Sequence, residues 1–184
     1  YSLSDDPCPA YEELMSTLYD PDEREKLEWS IGSIFAGDST WIQKFFVLYG
    51  SAGSGKSTVL NLISRLFDGH IGQFDAAALG RPSDQFALEP FKSNPRVAIQ
   101  HDGNLSRIAD NSRLNSLVSH EPMVMNEKGK SLYTFKPEAM LFVGTNLPVR
   151  ITDSKSGLTR RLIDVEPSGR KLDIHRYKEI MSQL

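Results

Sequence analysis

Gly50-Ser51-Ala52-Gly53-Ser54-Gly55-Lys56-Ser57-Thr58 fits the pattern G-x-x-x-x-G-K-[ST] at every fixed position. Before it runs Phe45-Phe46-Val47-Leu48-Tyr49, an apolar stretch with the length and side chains of a buried strand. After it, Leu60, Ile63 and Phe67 recur at helical spacing. A strand, a glycine-rich turn and a helix, in that order, are the context in which this pattern reads as a phosphate-binding P-loop. Glycines let the backbone wrap closely around phosphate oxygens with its N–H groups turned inward. The helix starting near Lys56 adds the positive end of its dipole. On this reading Gly50, Ser51, Ala52, Gly53, Ser54, Gly55, Lys56, Ser57 and Thr58 cradle a nucleoside triphosphate. Lys56 reaches the β- and γ-phosphates, and Ser57 offers its hydroxyl to Mg²⁺. The competing reading is a Gly/Ser-rich surface turn, against which the flanking strand and helix both argue.

Outward from the loop, three more stretches read as buried strands: Arg96–Asp102, Ala139–Gly144 and Leu162–Val165. Ile71–Phe74 is a candidate for a short one. Residues 76–95 carry Gly80, Pro82, Pro90 and Pro95 and are too broken for one long element. Asn104–Leu117 has helical spacing through Leu105, Ile108, Leu114 and Leu117. Met123–Met125 and Ser131–Phe135 flank Glu127-Lys128-Gly129-Lys130, a hairpin pattern with a glycine in the turn. Two N-terminal helices are expected, the first starting at Asp6-Pro7 and the second at Asp20-Pro21 and stopping at Gly37. Tyr11, Leu14 and Leu18 line one face of the first; Leu27, Ile31 and Ile34 line one face of the second. Lys171–Leu184 reads as a terminal helix with Ile174, Tyr177 and Ile180 inward. Buried strands alternating with helices predict an α/β fold with a central, mostly parallel sheet flanked by helices. The expected division is a helical collar over 1–38, a P-loop core over 39–170 and a C-terminal helix over 171–184.

In such sheets ligands gather at the carboxyl ends of strands. Three polar marks fall there: the glycine-rich loop after Tyr49, Asp102 and Asn146. Asp102 is the candidate Walker B acid, holding Mg²⁺ directly or through water; otherwise it is a turn residue before Gly103-Asn104. Its neighbour is His101 and not a second acid, so the water-activating group is open between Asp102 itself and Glu121. Asn146 is a candidate sensor, able to hydrogen-bond a γ-phosphate and the attacking water; otherwise it is a turn-former before Leu147-Pro148. Arg160-Arg161 is a candidate arginine finger acting on a neighbouring subunit's phosphate, or a surface pair for Asp164 and Glu166. Lys128 and Lys130 at the hairpin tip suit sequence-independent contact with a nucleic-acid backbone, or simply a solvated tip.

The chain has 184 residues, enough for one α/β domain with a proper core. Its net charge of −3 gives no global attraction to nucleic acid. A single cysteine, Cys8, rules out an internal disulfide and fits a reducing, cytoplasmic setting. No stretch has the apolar length of a membrane span, and no secretory signal is visible. His101, His120 and His175 have no metal-ligand spacing with Cys8. The first residue is Tyr1, and the chain reads as a piece of a longer or processed protein.

The order of these marks resembles the superfamily 3 helicases, in particular the helicase module of phage and virus primase-helicases. The most specific pieces are Phe135-Lys136-Pro137-Glu138-Ala139, Thr145-Asn146-x-Pro148 and Ser156-Gly157-x-Thr159-Arg160-Arg161-Leu162-Ile163-Asp164-Val165. The likeness runs over roughly residues 9–170. It implies an AAA+-like core that assembles into a ring, usually a hexamer, with ATP between subunits and one hairpin per subunit gripping single-stranded DNA. Carried over by position, Lys56 and Ser57 become ligands of ATP and Mg²⁺, Asp102 the Walker B acid, and Asn146 the sensor. Arg161 matches the finger by its place before the last strand, with Arg160 as the alternate. Lys128, and after it Lys130, match the DNA-contacting hairpin. A primase domain is expected elsewhere in the full-length chain. Where the family often has Glu at the acidic strand end, this chain has Asp102. Two rival functions keep the same P-loop: a nucleotide-dependent DNA-binding or assembly module without unwinding, and another phosphotransferase such as a small-molecule kinase.

Overall fold

The computed structural model describes residues 6–147 and 157–184. Pro148 and Ser156, two of the residues in the family-like motifs, lie outside them. At the centre is a five-stranded sheet: β1 (Phe45–Tyr49), β2 (Ile71–Gln73), β3 (Val97–Gln100), β6 (Met140–Thr145) and β7 (Leu162–Val165). The order is β2-β3-β6-β1-β7 and every pairing is parallel. The remaining strands, β4 (Met123–Met125) and β5 (Tyr133–Phe135), form a separate antiparallel hairpin.

The apolar run of β1 is explained by its position. It sits between β6 and β7, with Phe46 opposite Phe142 and Ile163. Alternate side chains enter two different cores. Phe46 and Leu48 join Phe142, Val97 and Ile99 on one face; Phe45 and Val47 join Leu141, Val143 and Ala98 on the other. Because both faces are covered, no polar alternation survives in the sequence. Phe46 and Phe142 stack with ring centroids 5.3 Å apart.

Four helices cover the first face: α1 (Pro9–Leu18), α2 (Pro21–Ala36), α3 (Lys56–Leu66) and α6 (Ile174–Gln183). Leu14, Leu18, Leu27, Ile34, Leu60, Ile63 and Ile180 all belong to one buried cluster there. The second face carries α4 (Ala76–Leu79), α5 (Ser112–Val118), short turns and the base of the hairpin. Among the described residues no helix is long and apolar enough to cross a membrane.

Three expectations are corrected. Helix α1 starts at Pro9, not at Asp6-Pro7. Cys8 precedes a second proline and is pushed out of helical geometry, so the helix begins only after it. The helical pattern of Asn104–Leu117 is split into a 3-10 turn at Leu105–Arg107 and α5. Asn104 Oδ1 accepts from Ser106 N–H at 3.1 Å and Asp110 Oδ1 from Ser112 N–H at 2.8 Å. These local side-chain bonds offer the backbone an alternative to a continuous helix. Helix α6 begins at Ile174, because Asp173 caps it by accepting from His175 N–H at 2.8 Å. Ile174 is therefore turned out, 58% exposed, whereas Ile180 is buried.

Candidate functional site

The glycine-rich loop leaves β1 at Tyr49, whose partner in register is Thr145 at the end of β6. Gly50 N–H continues the pairing by donating to Thr145 O at 3.2 Å. Buried Thr145 then makes a tight side-chain turn: its Oγ1 accepts from Leu147 N–H at 3.1 Å and donates to Leu147 O at 3.2 Å. That turn presents Asn146 at the strand end, beside the loop.

Lys56, at the first position of α3, folds back beneath the loop and is only 7% exposed. Its Nζ donates to Gly50 O at 2.7 Å, Ser51 O at 2.9 Å and Asn146 Oδ1 at 2.8 Å, with Ser54 Oγ at 3.5 Å. An ammonium has three protons, and three close oxygens use them all. Burial pushes the Lys56 ammonium below its ordinary range, while the nearby Asp102 carboxylate pulls it up. Lys56, Asn146 and the field of Asp102 thus converge on one place. The sequence assigned these three residues from separate stretches.

Two glycines set the geometry. Gly55 takes φ +98°, a left-handed conformation, and a Cβ there would stand 2.8 Å from Leu18 Cδ2. The end of α1 therefore presses directly on the loop. At Gly144 a Cβ would meet His101 O at 2.6 Å. With Gly103 N–H donating to Gly144 O at 2.8 Å, the ends of β3 and β6 are held close. Asp102 follows β3 on that edge and is exposed, as is Ser57 in the first turn of α3. A hydroxyl and a carboxylate are hard oxygen donors suited to Mg²⁺, which takes its other ligands from water and phosphates. Glu121 lies after α5 with its carboxylate accepting from Ser116 Oγ at 2.9 Å; it lines neither the Lys56 network nor the cleft described below.

The two arginines differ. Arg161 donates from its guanidinium to Asn115 Oδ1 at 3.3 Å and to Gly157 O at 3.5 Å, and its Nε is buried. Arg160 is exposed; its backbone carbonyl accepts from Lys44 Nζ at 2.5 Å. The hairpin lysines differ as well. Glu127 pairs with Lys130 at 3.0 Å and also accepts from Tyr133 Oη at 3.2 Å. The hydrogen bond from Lys130 holds the Glu127 carboxyl below its usual range, and the same bond raises Lys130. Lys128, exposed at the tip, is the hairpin's uncommitted cation among the described residues. Lys130 N–H donates to Glu127 O at 3.1 Å, and Gly129 takes φ +81° as the third residue of this turn.

One wall of the site escaped the sequence reading. An open cleft of about 270 Å³ runs along Gly53–Thr58 and is closed by Leu18, Lys171, Leu172 and Tyr177. The Tyr177 and Thr58 hydroxyls lie 3.2 Å apart, joining α6 to the first turns of α3. The segment before α6 is bolted to the end of α1. Ser168 N–H donates to Leu18 O at 2.8 Å and Ser168 Oγ to Thr17 O at 2.7 Å. Arg170 donates to Thr17 O and Ser16 O, both at 3.1 Å, and pairs with Asp20 at 2.9 Å. These bonds satisfy carbonyls that the last turn of a helix leaves without intrahelical partners. No local pattern near Lys171 announces any of this, because the opposite wall of the cleft, Leu18 and Gly53–Thr58, lies more than a hundred positions earlier in the chain.

Comparison with solved structures finds the same fold in the C-terminal region of NrS-1. One apo structure, the A form, matches with a TM-score of 0.72 at 20% identity, covering 97% of this chain and 43% of that one. A second apo structure of this region matches with a TM-score of 0.72 at 19% identity, covering 98% and 44%. The chain thus spans less than half the length of these structures, and the likeness establishes fold alone. No curated protein matches the sequence. The model of a family of unknown function, DUF5906, matches residues 48–161, from Leu48 near the end of β1 through Arg161, and the chain belongs to that family.

Proposed function

We propose that this chain is an ATP-dependent DNA helicase domain of a phage- or prophage-type replication protein, hydrolysing ATP at the subunit interfaces of a hexameric ring and translocating on single-stranded DNA. The observation that carries the reading is the 2.8 Å bond from Lys56 to Asn146, which joins the glycine-rich loop to the end of a neighbouring parallel strand. A cation for the phosphates and an amide for the γ-phosphate and water stand where both can touch one ligand. Phosphoryl transfer asks a protein mainly for positioning and charge stabilisation. The loop N–H groups and Lys56 bind the phosphates, Ser57 and Asp102 are the residues that would hold Mg²⁺, and Asn146 orients the attacking water. Bound Mg²⁺ supplies charge neutralisation on the phosphate oxygens. Arg160, exposed and, unlike Arg161, without a side-chain hydrogen bond among the described residues, serves as the group offered to the neighbour's site. Lys128 contacts the DNA backbone.

The test is ATP turnover measured with and without single-stranded DNA, alongside oligomeric state and unwinding of a forked duplex. DNA-stimulated turnover by an assembled ring, lost in Lys56→Ala, is the expected result. A second reading, a nucleotide-dependent DNA-binding or assembly module, is favoured by one feature: His101 stands beside Asp102 where a second acid would activate water. ATP and DNA binding without turnover or strand separation would select it. Failure of the wild-type chain to bind ATP would sink both.

A further inference from the structure

We propose that Lys171 is a second phosphate-binding cation of the nucleotide site, contributed by the segment before α6, and that it serves the phosphates nearest the nucleoside. The inference rests on the reading of the glycine-rich loop as a nucleotide site. Lys171 lines the same cleft as Gly53–Thr58, and its Nζ stands 3.7 Å from where a Cβ on Gly53 would lie. It has neither a hydrogen-bond nor a carboxylate partner among the described residues, in contrast to its neighbour Arg170, which is engaged on the last turn of α1 and on Asp20. Anchoring of Ser168 and Arg170 to the last turn of α1 fixes the backbone on one side of Lys171. The Tyr177–Thr58 hydroxyl pair fixes α6 on the other. An uncommitted cation is thus held beside the glycine-rich loop on a segment anchored on both sides, which lowers the ordering cost of a phosphate contact.

Position along the ligand follows from what the cleft contains. Lys56 lines it at one end, whereas Asn146 and Asp102, at the strand ends beyond Lys56, do not. Leu18, Leu172 and Tyr177 do, and they offer apolar and aromatic surface for a sugar and base. Lys171 therefore faces the diphosphate part and not the terminal phosphate. A nucleoside diphosphate should feel its loss as much as a triphosphate does.

The experiment is calorimetric titration of the full 184-residue chain with ADP and, separately, a non-hydrolysable ATP analogue, both with Mg²⁺. Lys171→Ala should weaken both by about five- to tenfold, and Lys171→Arg should stay within about twofold of wild type. Lys178→Ala, an exposed lysine of α6 outside the cleft, should leave both affinities unchanged. Wild-type affinities in Lys171→Ala would overturn the inference while leaving the nucleotide site standing. Equal weakening by Lys178→Ala would also overturn it, since bulk charge would then suffice. A selective loss for the triphosphate analogue would overturn the diphosphate placement. No binding of either nucleotide by wild type would remove the site itself.

Discussion

The two faces of the sheet are built differently. On the face of α1, α2, α3 and α6, the polar ties that join one element to another span long stretches of chain: Arg170 to Thr17, Tyr177 to Thr58, Arg176 to Glu13. On the face of α4, α5 and the hairpin, many polar bonds are local, such as Asp110 with Ser112 and Glu127 with Lys130. The cleft beside the glycine-rich loop belongs to the first kind, the hairpin tip to the second. A site assembled from distant pieces holds its shape only when the whole first face is packed. A turn held by its own neighbours tolerates change in place. The difference predicts which substitutions spread and which stay put.

The largest expected effect is Phe46→Ala, which empties a fully buried position between β6 and β7. It should cost about 3–5 kcal/mol of stability in denaturant titration; a loss below 1 kcal/mol would mean the first face does not hold the sheet. Next, Lys56→Ala should lower nucleotide affinity by about a hundredfold, roughly 2.7 kcal/mol, as read by calorimetry. Arg170→Ala should cost about 1 kcal/mol, because its bonds are charge-assisted but half exposed, and it should loosen amide protection at the end of α1. An effect confined to residues beside 170 would erase the contrast between the faces. Lys128→Ala should leave stability within about 0.5 kcal/mol while reducing the salt dependence of single-stranded DNA binding by about one unit of slope.

The smallest effect is on the acid side. Hydrogen bonds from Arg24 and Arg176 hold Glu12 and Glu13 below their ordinary 4.5. For a carboxylate lowered in the folded state, the stabilisation is complete above the unfolded value. It is lost as pH falls below 4.5 through the lowered folded values. The thermal midpoint of wild type should therefore drop slightly more over that window than that of Arg176→Ala.

What could be read directly from the residues was whatever depends on neighbours in sequence. The run Phe45–Tyr49, the glycine pattern after it and the spacing of Leu60 and Ile63 fix a strand, a turn and a helix without outside help. The placement of Asp102 and Asn146 at strand ends was legible because polar residues ending apolar runs mark the ends of parallel strands. Lys171 and Tyr177 were not, since their meaning comes from α6 packing back across the whole chain. The engagement of Arg161 was equally hidden, as its partner Asn115 is 46 positions away on α5. Helix boundaries failed where a local detail overrode the periodic pattern: the proline after Cys8, the Asx turns at Asn104 and Asp110, and the cap at Asp173.

The close approach at Gly144 has one more consequence. The spacing between the ends of β3 and β6 is set by a hydrogen atom where any other residue would carry carbon, 2.6 Å from a backbone oxygen that has nowhere to go. The interval between an acid and an amide is thus gauged by the sheet and not by the acid or the amide. A substitution at this glycine would leave each polar group chemically intact and shift one against the other by a fraction of an ångström. In this molecule the ruler of the site is a residue with no side chain to place in it.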